Sequence, residues 1–169
     1  MIQVYTGNGK GKTTAALGLI LRAVGADKKV ALIQFMKKGT TSETKALRKF
    51  KSQVALFQFG RKNFVFKNKV SEADKKEAEK GLKKAREVLE GKKYDLIVLD
   101  EINVAVYFGL TKKEDVLELL SKWGKKIEIV LTGRKAPKEF IKIADLVTEM
   151  KEIKHPYRRG IIARRGIDY

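Results

Sequence analysis

The chain has 169 residues, 43% of them hydrophobic, which is typical of one globular domain with a substantial core. It contains no cysteine, which excludes disulfides, thiolate metal ligands and a cysteine nucleophile. Its 38 Lys and Arg outnumber 20 Asp and Glu, and the resulting net charge of +18 attracts polyanions. Because the basic residues are spread along the chain, we favour a lysine-rich surface over a nucleic-acid interface.

Neither membrane insertion nor export is expected from this sequence. Its apolar runs are shorter than the ~20 residues that cross a bilayer. The first residues do not resemble a secretory leader, which combines basic residues, an apolar run and a cleavage site. We therefore expect a soluble, cytoplasmic protein without a membrane partner, and the lack of cysteine fits that reducing compartment.

Short apolar runs of strand length recur along the chain and are separated by amphipathic stretches. The predicted strands are 2–5, 30–35, 54–59, 94–100, 127–132 and 144–150. Their nearly continuous apolar character is typical of a sheet that is covered on both faces. Strands that alternate with helices predict an α/β fold with a mostly parallel central sheet and right-handed crossovers.

Capping residues mark the ends of several predicted helices. Ser71 to Asp74 resembles the capping box of a helix that ends near Gly91. Thr111 to Glu114 predicts a second capping box, for the helix that follows. Pro137 suits the first turn of another helix.

Two segments match neither a strand nor a helix, and we expect loops or lids there. Residues 60–69 carry two aromatic side chains, Phe64 and Phe66, among Gly, Asn and Lys. Residues 154–169 form a basic C-terminal tail of the single domain 1–169. The only histidine, His155, is given a structural role beside Pro156 rather than that of a base or metal ligand.

A glycine-rich stretch, "YTGNGKGKTTAALG" at residues 5–18, predicts a phosphate-binding loop between a strand and a helix. It departs from the pattern G-x-x-x-x-G-K-[ST] at the first position, where Thr6 stands. A glycine-rich turn without a ligand is the alternative, but the acidic motif downstream favours a three-layer P-loop NTPase-like (RecA-like) fold. The predicted nucleotide-binding residues are Gly7, Asn8, Gly9, Lys10, Gly11, Lys12, Thr13, Thr14 and Arg22.

The second chemical motif is "LIVLDEI", residues 96–102, which places Asp100 and Glu101 after a buried strand. Ligands of open α/β sheets bind at that end of the strands, so the two carboxylates and Thr13 are predicted to hold Mg²⁺ or Mn²⁺. Two solvated acids are the alternative. The next strand ends in "LTGR", where Arg134 could bind a phosphate in bidentate fashion, whereas Arg22 is a weaker candidate.

Five segments together resemble the P-loop type of ATP:corrinoid adenosyltransferase: "GNGKGKTTAALG", "IQFMK", "LDEIN", "LTGRKAP" and "KHPYRRGIIARRGI". The resemblance implies that Co(I) of a reduced corrinoid attacks the 5′ carbon of ATP and expels triphosphate. ATP and the corrinoid are then substrates, Mg²⁺ or Mn²⁺ is the metal, and an electron donor reduces Co(II). It also implies that the loop holds the nucleotide in the sense opposite to that of ordinary P-loop enzymes.

The resemblance also implies roles for individual residues. Residues 7–13 would cradle the triphosphate, with Lys12, Thr13, Glu101 and Arg134 as the catalytic set. Thr13 and Glu101 would bind the metal, while Asp100 supports it. The resemblance implies a homodimer, and because the first strand begins at residue 2, closure of the site is expected from the partner subunit or the basic tail.

The aromatic pair Phe64 and Phe66 is similar to a pair that packs against the corrin in this family and displaces its lower axial ligand. Some relatives carry tryptophan where Phe66 stands. The alternative to corrin binding is that the two rings form a small aromatic cluster that anchors the loop. The sequence leaves open whether the substrate is cobalamin, cobinamide or cobyrinic acid a,c-diamide. The rival functions are a P-loop ATPase stimulated by nucleic acid and a non-catalytic nucleotide-gated module.

Overall fold

The computed structural model describes residues 1–61, 65 and 67–168, along which strands and helices alternate. The strands are β1 (Ile2–Thr6), β2 (Val30–Phe35), β3 (Val54–Phe59), β4 (Leu96–Asp100), β5 (Glu128–Thr132) and β6 (Leu146–Glu149). The helices are α1 (Lys12–Gly25), α2 (Ser42–Leu47), α3 (Glu72–Glu90), α4 (Ile102–Tyr107), α5 (Lys113–Trp123) and α6 (Lys138–Ile143). Short 3₁₀ helices cover Arg48–Phe50, Lys67–Lys69 and Pro156–Arg159.

All six strands belong to one sheet, in the order β3-β2-β4-β5-β1-β6, and each pairs in parallel with its neighbours. The predicted α/β class and parallel sheet are therefore confirmed. Parallel strands align their carboxyl ends, so the residues after β1, β2, β4 and β5 meet along one edge of the sheet. That edge carries the predicted phosphate loop and the predicted acid pair.

The sheet is covered on both faces because successive residues of a strand point in opposite directions. Leu32, Val98 and Val130 pack with α1 on one face. Ile33 and Leu99 pack on the other face with buried residues of α3, α4 and α5. The central strands β2, β4 and β5 are thus buried over nearly their whole length, in agreement with the nearly continuous apolar pattern of the sequence.

The cap predicted at the start of α3 is confirmed, and the one predicted for α5 is wrong. Ser71 caps α3, where its hydroxyl accepts a hydrogen bond from the Asp74 N–H at 3.2 Å and its own N–H donates to Asp74 Oδ2 at 3.0 Å. The helix α5 begins one residue later than its predicted box requires, so Lys112 takes the cap position and no side chain caps the helix. Thr111 is therefore buried, and its hydroxyl has no hydrogen-bond partner within the described residues.

Two further helix ends differ slightly from the sequence prediction. Gly91 directly follows α3 but has helical backbone angles, with φ −67°, and Lys92 adopts the left-handed conformation instead. Pro137 precedes α6 as its cap rather than occupying the first turn. Both differences are shifts of one residue, which is the ordinary uncertainty of helix boundaries.

The strand β6 forms an exposed edge of the sheet. Its Leu146 and Val147 side chains are 40% and 41% exposed, and α6 exposes Ile141 and Ile143 beside it. Searched over the part of the chain that the structure describes, the helices include none that is long and apolar enough to cross a membrane.

Candidate functional site

The phosphate loop, residues 7–11, lies tightly against the segment that follows β6. A Cβ atom on Gly9 would lie 2.7 Å from the Lys151 carbonyl oxygen, and one on Gly7 would collide with the Met150 carbonyl oxygen. The Gly9 N–H donates a 2.7 Å hydrogen bond to that Met150 oxygen. The glycines thus allow a close backbone approach, and the Gly9 N–H is used by the protein itself rather than left for a phosphate.

Lys12 is buried in the middle of the phosphate loop, at the first residue of α1. Its ammonium donates to the carbonyl oxygens of Gly7 at 2.8 Å and Gly9 at 2.6 Å. Burial lowers the pKa of Lys12, the nearby Arg134 lowers it further, and Glu101 opposes both. The loop therefore holds a cation at its centre, where the oxygens of a triphosphate could take over from the carbonyls.

Asp100, at the end of β4, is fully buried and accepts hydrogen bonds on both carboxylate oxygens. Thr13 and Thr132 donate to Oδ1 at 2.9 and 2.7 Å. Gln34 and Lys37 donate to Oδ2, each at 3.0 Å. Burial would raise the pKa of Asp100, but these partners, Lys37 above all, hold it below its usual value. Asp100 is thus a charged carboxylate that orients the Thr13 hydroxyl.

Sequence reasoning missed two of these partners, Gln34 and Lys37, and gave Thr132 no role of its own. Gln34 lies opposite Asp100 in the β2–β4 register, and Lys37 follows β2 by two residues. A detectable signal existed, because Gln34 and Thr132 are fully buried polar residues that interrupt or end apolar strands. Such residues indicate a buried polar network at the carboxyl ends of the strands.

Glu101 directly follows β4 in a left-handed conformation, with φ 64°, and begins α4. Its N–H donates to the Thr132 hydroxyl at 3.0 Å, which fixes its backbone. Within the described residues its carboxylate makes no side-chain hydrogen bond, in contrast to that of Asp100. Burial raises the pKa of Glu101, as does the adjacent Asp100 charge, while Lys37, Lys12 and Arg134 oppose the rise.

The oxygen donors beside the phosphate loop fit a hard divalent cation such as Mg²⁺. Within the described residues the Glu101 carboxylate is not engaged by a side-chain hydrogen bond, and the Thr13 hydroxyl is held by Asp100, the residue that precedes Glu101. Over the described ranges, no group of three or more His, Cys, Asp or Glu side chains could hold a metal ion. Phosphate oxygens or water molecules would therefore have to complete the coordination, as in metal–nucleotide complexes.

Thr6, at the unusual first position of the loop, serves the fold. Its side chain is buried, and its hydroxyl accepts a 3.2 Å hydrogen bond from the Ala136 N–H in the turn after β5. Its carbonyl accepts from the Met150 N–H at 2.8 Å. Thr6 thereby joins the start of the phosphate loop to the segments after β5 and β6.

The other predicted site residues fall into three groups. Arg134 is exposed beside Lys12 and Glu101, and Asn8 and Thr14 are also exposed. Arg22 lies in the last turn of α1, about 14 Å along the helix axis from Thr13, and the structure does not bring it to the loop. The predicted corrinoid-binding pair, Phe64 and Phe66, lies outside the described residues.

The C-terminal tail contacts the phosphate loop through Lys10. The Lys10 ammonium donates to the Ile167 carbonyl oxygen at 2.8 Å and pairs with the Asp168 carboxylate. Asp168 also accepts hydrogen bonds from the Arg164 N–H at 2.9 Å and its Nε at 3.0 Å. Earlier in the tail, His155 Nδ1 accepts from the Tyr157 N–H at 3.2 Å, in keeping with a structural role.

A glycine-rich loop between β1 and α1, ending in Lys12 and Thr13, and an acid pair after β4 are the features of P-loop nucleotide-binding α/β proteins. Within that class, the family model described as ATP:corrinoid adenosyltransferase BtuR/CobO/CobP matches residues 1–169. The chain belongs to this family.

Individual relatives agree with this assignment. A corrinoid adenosyltransferase of Sinorhizobium sp is 36% identical, over 100% of this chain and 80% of the relative. Those of Pseudomonas aeruginosa and Escherichia coli (strain K12) are 34% and 32% identical over 100% of this chain, covering 83% and 85% of their own lengths. The predicted family and its transferase class are confirmed, with ATP and a corrinoid as substrates, and the rival nucleic-acid-stimulated ATPase is not favoured.

Proposed function

We propose that this protein transfers the 5′-deoxyadenosyl group of ATP to Co(I) of a reduced corrinoid and releases triphosphate, and that the site around the phosphate loop performs the reaction. The single observation that supports this role best is the 2.9 Å hydrogen bond between the Thr13 hydroxyl and the buried Asp100 carboxylate. It joins the end of the phosphate loop to the acid pair, as a site for a metal–nucleotide complex requires.

In this proposal, the protein binds and neutralises a leaving group. The Lys12 ammonium moves from the carbonyls of the loop to the triphosphate, and exposed Arg134 approaches from the other side. Thr13 and Glu101 hold the metal, which supplies positive charge to the phosphate oxygens when bound. Lys10 and the remaining loop residues line the same site, whereas we leave Arg22 out of it.

The bond changes require no general base. The electron pair of Co(I) forms the cobalt–carbon bond, the bond from the 5′ carbon to oxygen breaks, and its electrons leave with the triphosphate. The charge that develops on that oxygen is stabilised by the cations of the site, and binding aligns the two reactants. No residue has to activate water, which distinguishes this use of the loop from ATP hydrolysis.

We place the corrinoid beside the loop that begins at Gly60 and carries Phe64 and Phe66. In the family resemblance, two apolar rings displace the lower axial ligand of cobalt, which makes Co(II) easier to reduce. Gly60 packs directly on the segment after β2, since a Cβ atom there would lie 2.7 Å from the Met36 carbonyl carbon. The aromatic loop therefore starts close to the buried network around Asp100.

The domain 1–169 is proposed to close its own nucleotide site in part with the basic tail, residues 154–169. The contact between Lys10 and Ile167, at 2.8 Å, supports this closure. A homodimer could cover the site further. The exposed apolar side chains of Ile141, Leu146 and Val147 on α6 and β6 support an interface at that edge of the sheet.

A reaction through Co(I) also requires a reducing environment around the protein. Co(I) survives only where electrons are supplied and oxygen is scarce, so we propose a reducing cytoplasm and a separate electron donor. No nucleic-acid partner is needed for this chemistry.

The test is anaerobic and uses MgATP with chemically reduced cob(I)alamin. We expect a light-sensitive alkylcobalamin in the visible spectrum together with stoichiometric triphosphate. Thr13→Val, which replaces the hydroxyl with a methyl group of similar size, should lower the rate by at least about 100-fold, while Thr13→Ser should retain most of it. An unchanged spectrum with ADP and phosphate as products would contradict the proposal. Parallel assays with cobinamide and cobyrinic acid a,c-diamide would rank the three candidate corrinoids by kcat/KM.

A further inference from the structure

Lys37 contributes the one cation that contacts the acid pair directly within the described residues. Its ammonium lies 3.0 Å from Asp100 Oδ2, the oxygen that also accepts from Gln34. Asp100 is fully buried, whereas the Lys37 side chain is 30% exposed and reaches it from the rim of the site. Among the ion pairs of the described residues, Asp100 is the one acid that is completely buried, although Asp74, which pairs with Arg61, is also largely buried.

The position of Lys37 is determined by its backbone. The preceding residue, Met36, has a positive φ of 56°, which turns the chain sharply after β2. On the other side, Gly60 packs so closely that a Cβ atom there would lie 2.6 Å from the Lys37 backbone nitrogen. Lys37 is therefore held between the strand that carries Gln34 and the first residue of the aromatic loop.

The two oxygens of Asp100 have separate tasks. Oδ1 accepts from Thr13 and Thr132, whereas Oδ2 accepts from Gln34 and Lys37. With both oxygens engaged, the Asp100 carboxylate is turned away from direct metal binding and supports the Thr13 hydroxyl instead. Without Lys37, Oδ2 would have only the neutral Gln34 amide as a partner.

We propose that Lys37 is a positioning residue of the metal–nucleotide site. Its ammonium holds Asp100 Oδ2, so that Oδ1 stays directed at Thr13 while Glu101 remains free for the metal. It also supplies the charge that compensates the buried acid pair when no metal or nucleotide is bound. This inference rests on the proposed function of Thr13 and Glu101 as metal ligands.

Removing the charge of Lys37 has two opposite effects under this proposal. The acid pair gains one net negative charge and a carboxylate oxygen with fewer partners, so a divalent cation alone binds more tightly. The Thr13 hydroxyl, however, loses its fixed orientation, so the transfer reaction slows. If Lys37 only packed against the site, its removal would lower both the affinity for the divalent cation and the rate of transfer, because a loosened site binds the metal less well.

The experiment measures Mn²⁺ binding without nucleotide, by the paramagnetic resonance of free Mn²⁺, and adenosyl transfer from preformed cob(I)alamin. For Lys37→Met we expect a Kd for Mn²⁺ at least about fivefold lower and a kcat about tenfold lower. The KM for ATP should change by less than about threefold. Lys37→Arg, which keeps the charge, should resemble the unmodified protein in both measurements.

Lys113→Met is the matched control, because Lys113 pairs with exposed Glu139 at 2.5 Å on α5 and α6. It should leave both measurements unchanged. Weaker Mn²⁺ binding in Lys37→Met, or an Arg variant that behaves like the Met variant, would overturn the proposal.

If Lys37→Met does not fold, Lys37→Gln provides the same comparison with a neutral hydrogen-bonding side chain. Absence of any transfer by the unmodified protein would instead contradict the proposed function, whereas the Mn²⁺ comparison would still report on Lys37.

Discussion

Lys10, in the phosphate loop, forms an ion pair with Asp168, in the C-terminal tail, although the two residues are 158 positions apart in the sequence. The Asp168 carboxylate is bound to the Lys10 ammonium group, which in the proposed site would bind the triphosphate. Its pKa is held well below the usual range, first by the hydrogen bond from Lys10 and then by the Arg164 backbone and side chain. Asp168 therefore stays charged at neutral pH, and in the proposed site it would compete with phosphate for Lys10.

Neutralising Asp168 is expected to strengthen the binding of anions at the loop. We predict that Asp168→Asn lowers the Kd for tripolyphosphate and for MgATP about threefold, a modest change because the pair is partly exposed. Titration calorimetry would measure both. Glu118→Gln removes the same charge from an exposed pair with Arg86 and should leave both Kd values unchanged. Weaker binding by Asp168→Asn would show that the Asp168 carboxylate supports the nucleotide-binding form of the loop rather than competes with the nucleotide.

Gly9 and Gly18 provide a matched pair of glycine substitutions. A Cβ atom on Gly9 would lie 2.7 Å from the Lys151 carbonyl oxygen, whereas one on Gly18 in α1 would meet no atom of the described residues within 4 Å. Gly9→Ala should displace the loop from the segment after β6 and cost about 1–3 kcal/mol of unfolding free energy, with loss of ATP binding. Gly18→Ala should stabilise the protein by up to about 1 kcal/mol, because alanine favours the helix. Urea unfolding measures both, and equal effects would contradict the packing argument.

The sequence predicted those parts of the site that follow from local pattern. Asp100 could be recognised because a carboxylate directly after an apolar run is conspicuous, and Lys12 because it follows a glycine-rich loop. Gln34 is conspicuous as a polar residue within an apolar run, but its partner could not be predicted, and Lys37 carries no local signal, since both roles depend on β2 lying beside β4, with Gln34 opposite Asp100. That neighbourhood is a long-range pairing which no local pattern encodes.

The difference between local sequence pattern and long-range packing also explains the environment of Gly7 and Gly9 and the incorrect cap prediction at Thr111. Gly7 and Gly9 were predicted from the loop pattern, but the close approach of Met150 depends on β6 pairing with β1 across most of the chain. Thr111 matched a capping box in sequence, yet tertiary packing started α5 after Lys112 and buried the threonine. Local propensity identified the helix, and packing determined its first residue.

The aromatic loop can be tested by the oxidation state of the corrinoid that is supplied. If Phe64 and Phe66 displace the lower axial ligand of cobalt, their loss should impair the reduction of Co(II) more than the later transfer. We predict that Phe64→Ala and Phe66→Ala lower the rate from cob(II)alamin with a chemical reductant at least about tenfold more than the rate from preformed cob(I)alamin. Leu21→Ala, which removes an exposed apolar side chain from α1, is the control. Full activity of both variants from Co(II) would refute the assignment of this loop.

The cap of α3 gives the protein a predictable response to acid. Ser71 donates to Asp74 Oδ2 from its hydroxyl at 2.6 Å and from its N–H at 3.0 Å, and the hydroxyl hydrogen bond is the main cause of the lowered pKa of Asp74. A carboxylate whose pKa is lower in the folded protein than in the unfolded chain stabilises the fold above the unfolded value of about 3.9. That contribution is lost as the pH falls from there through the folded pKa.

Asp74→Asn should therefore cost about 1 kcal/mol of unfolding free energy between pH 5 and 7, with a difference from the unmodified protein that shrinks below about pH 4. Urea unfolding across this range measures the difference directly. Asp115→Asn, in the first turn of α5 where no side chain caps the helix, should cost only a few tenths of a kcal/mol, about the size of a helix-dipole effect. A difference for Asp74→Asn that persisted undiminished at pH 3 would mean that packing of the side chain, and not its charge, stabilises the start of α3.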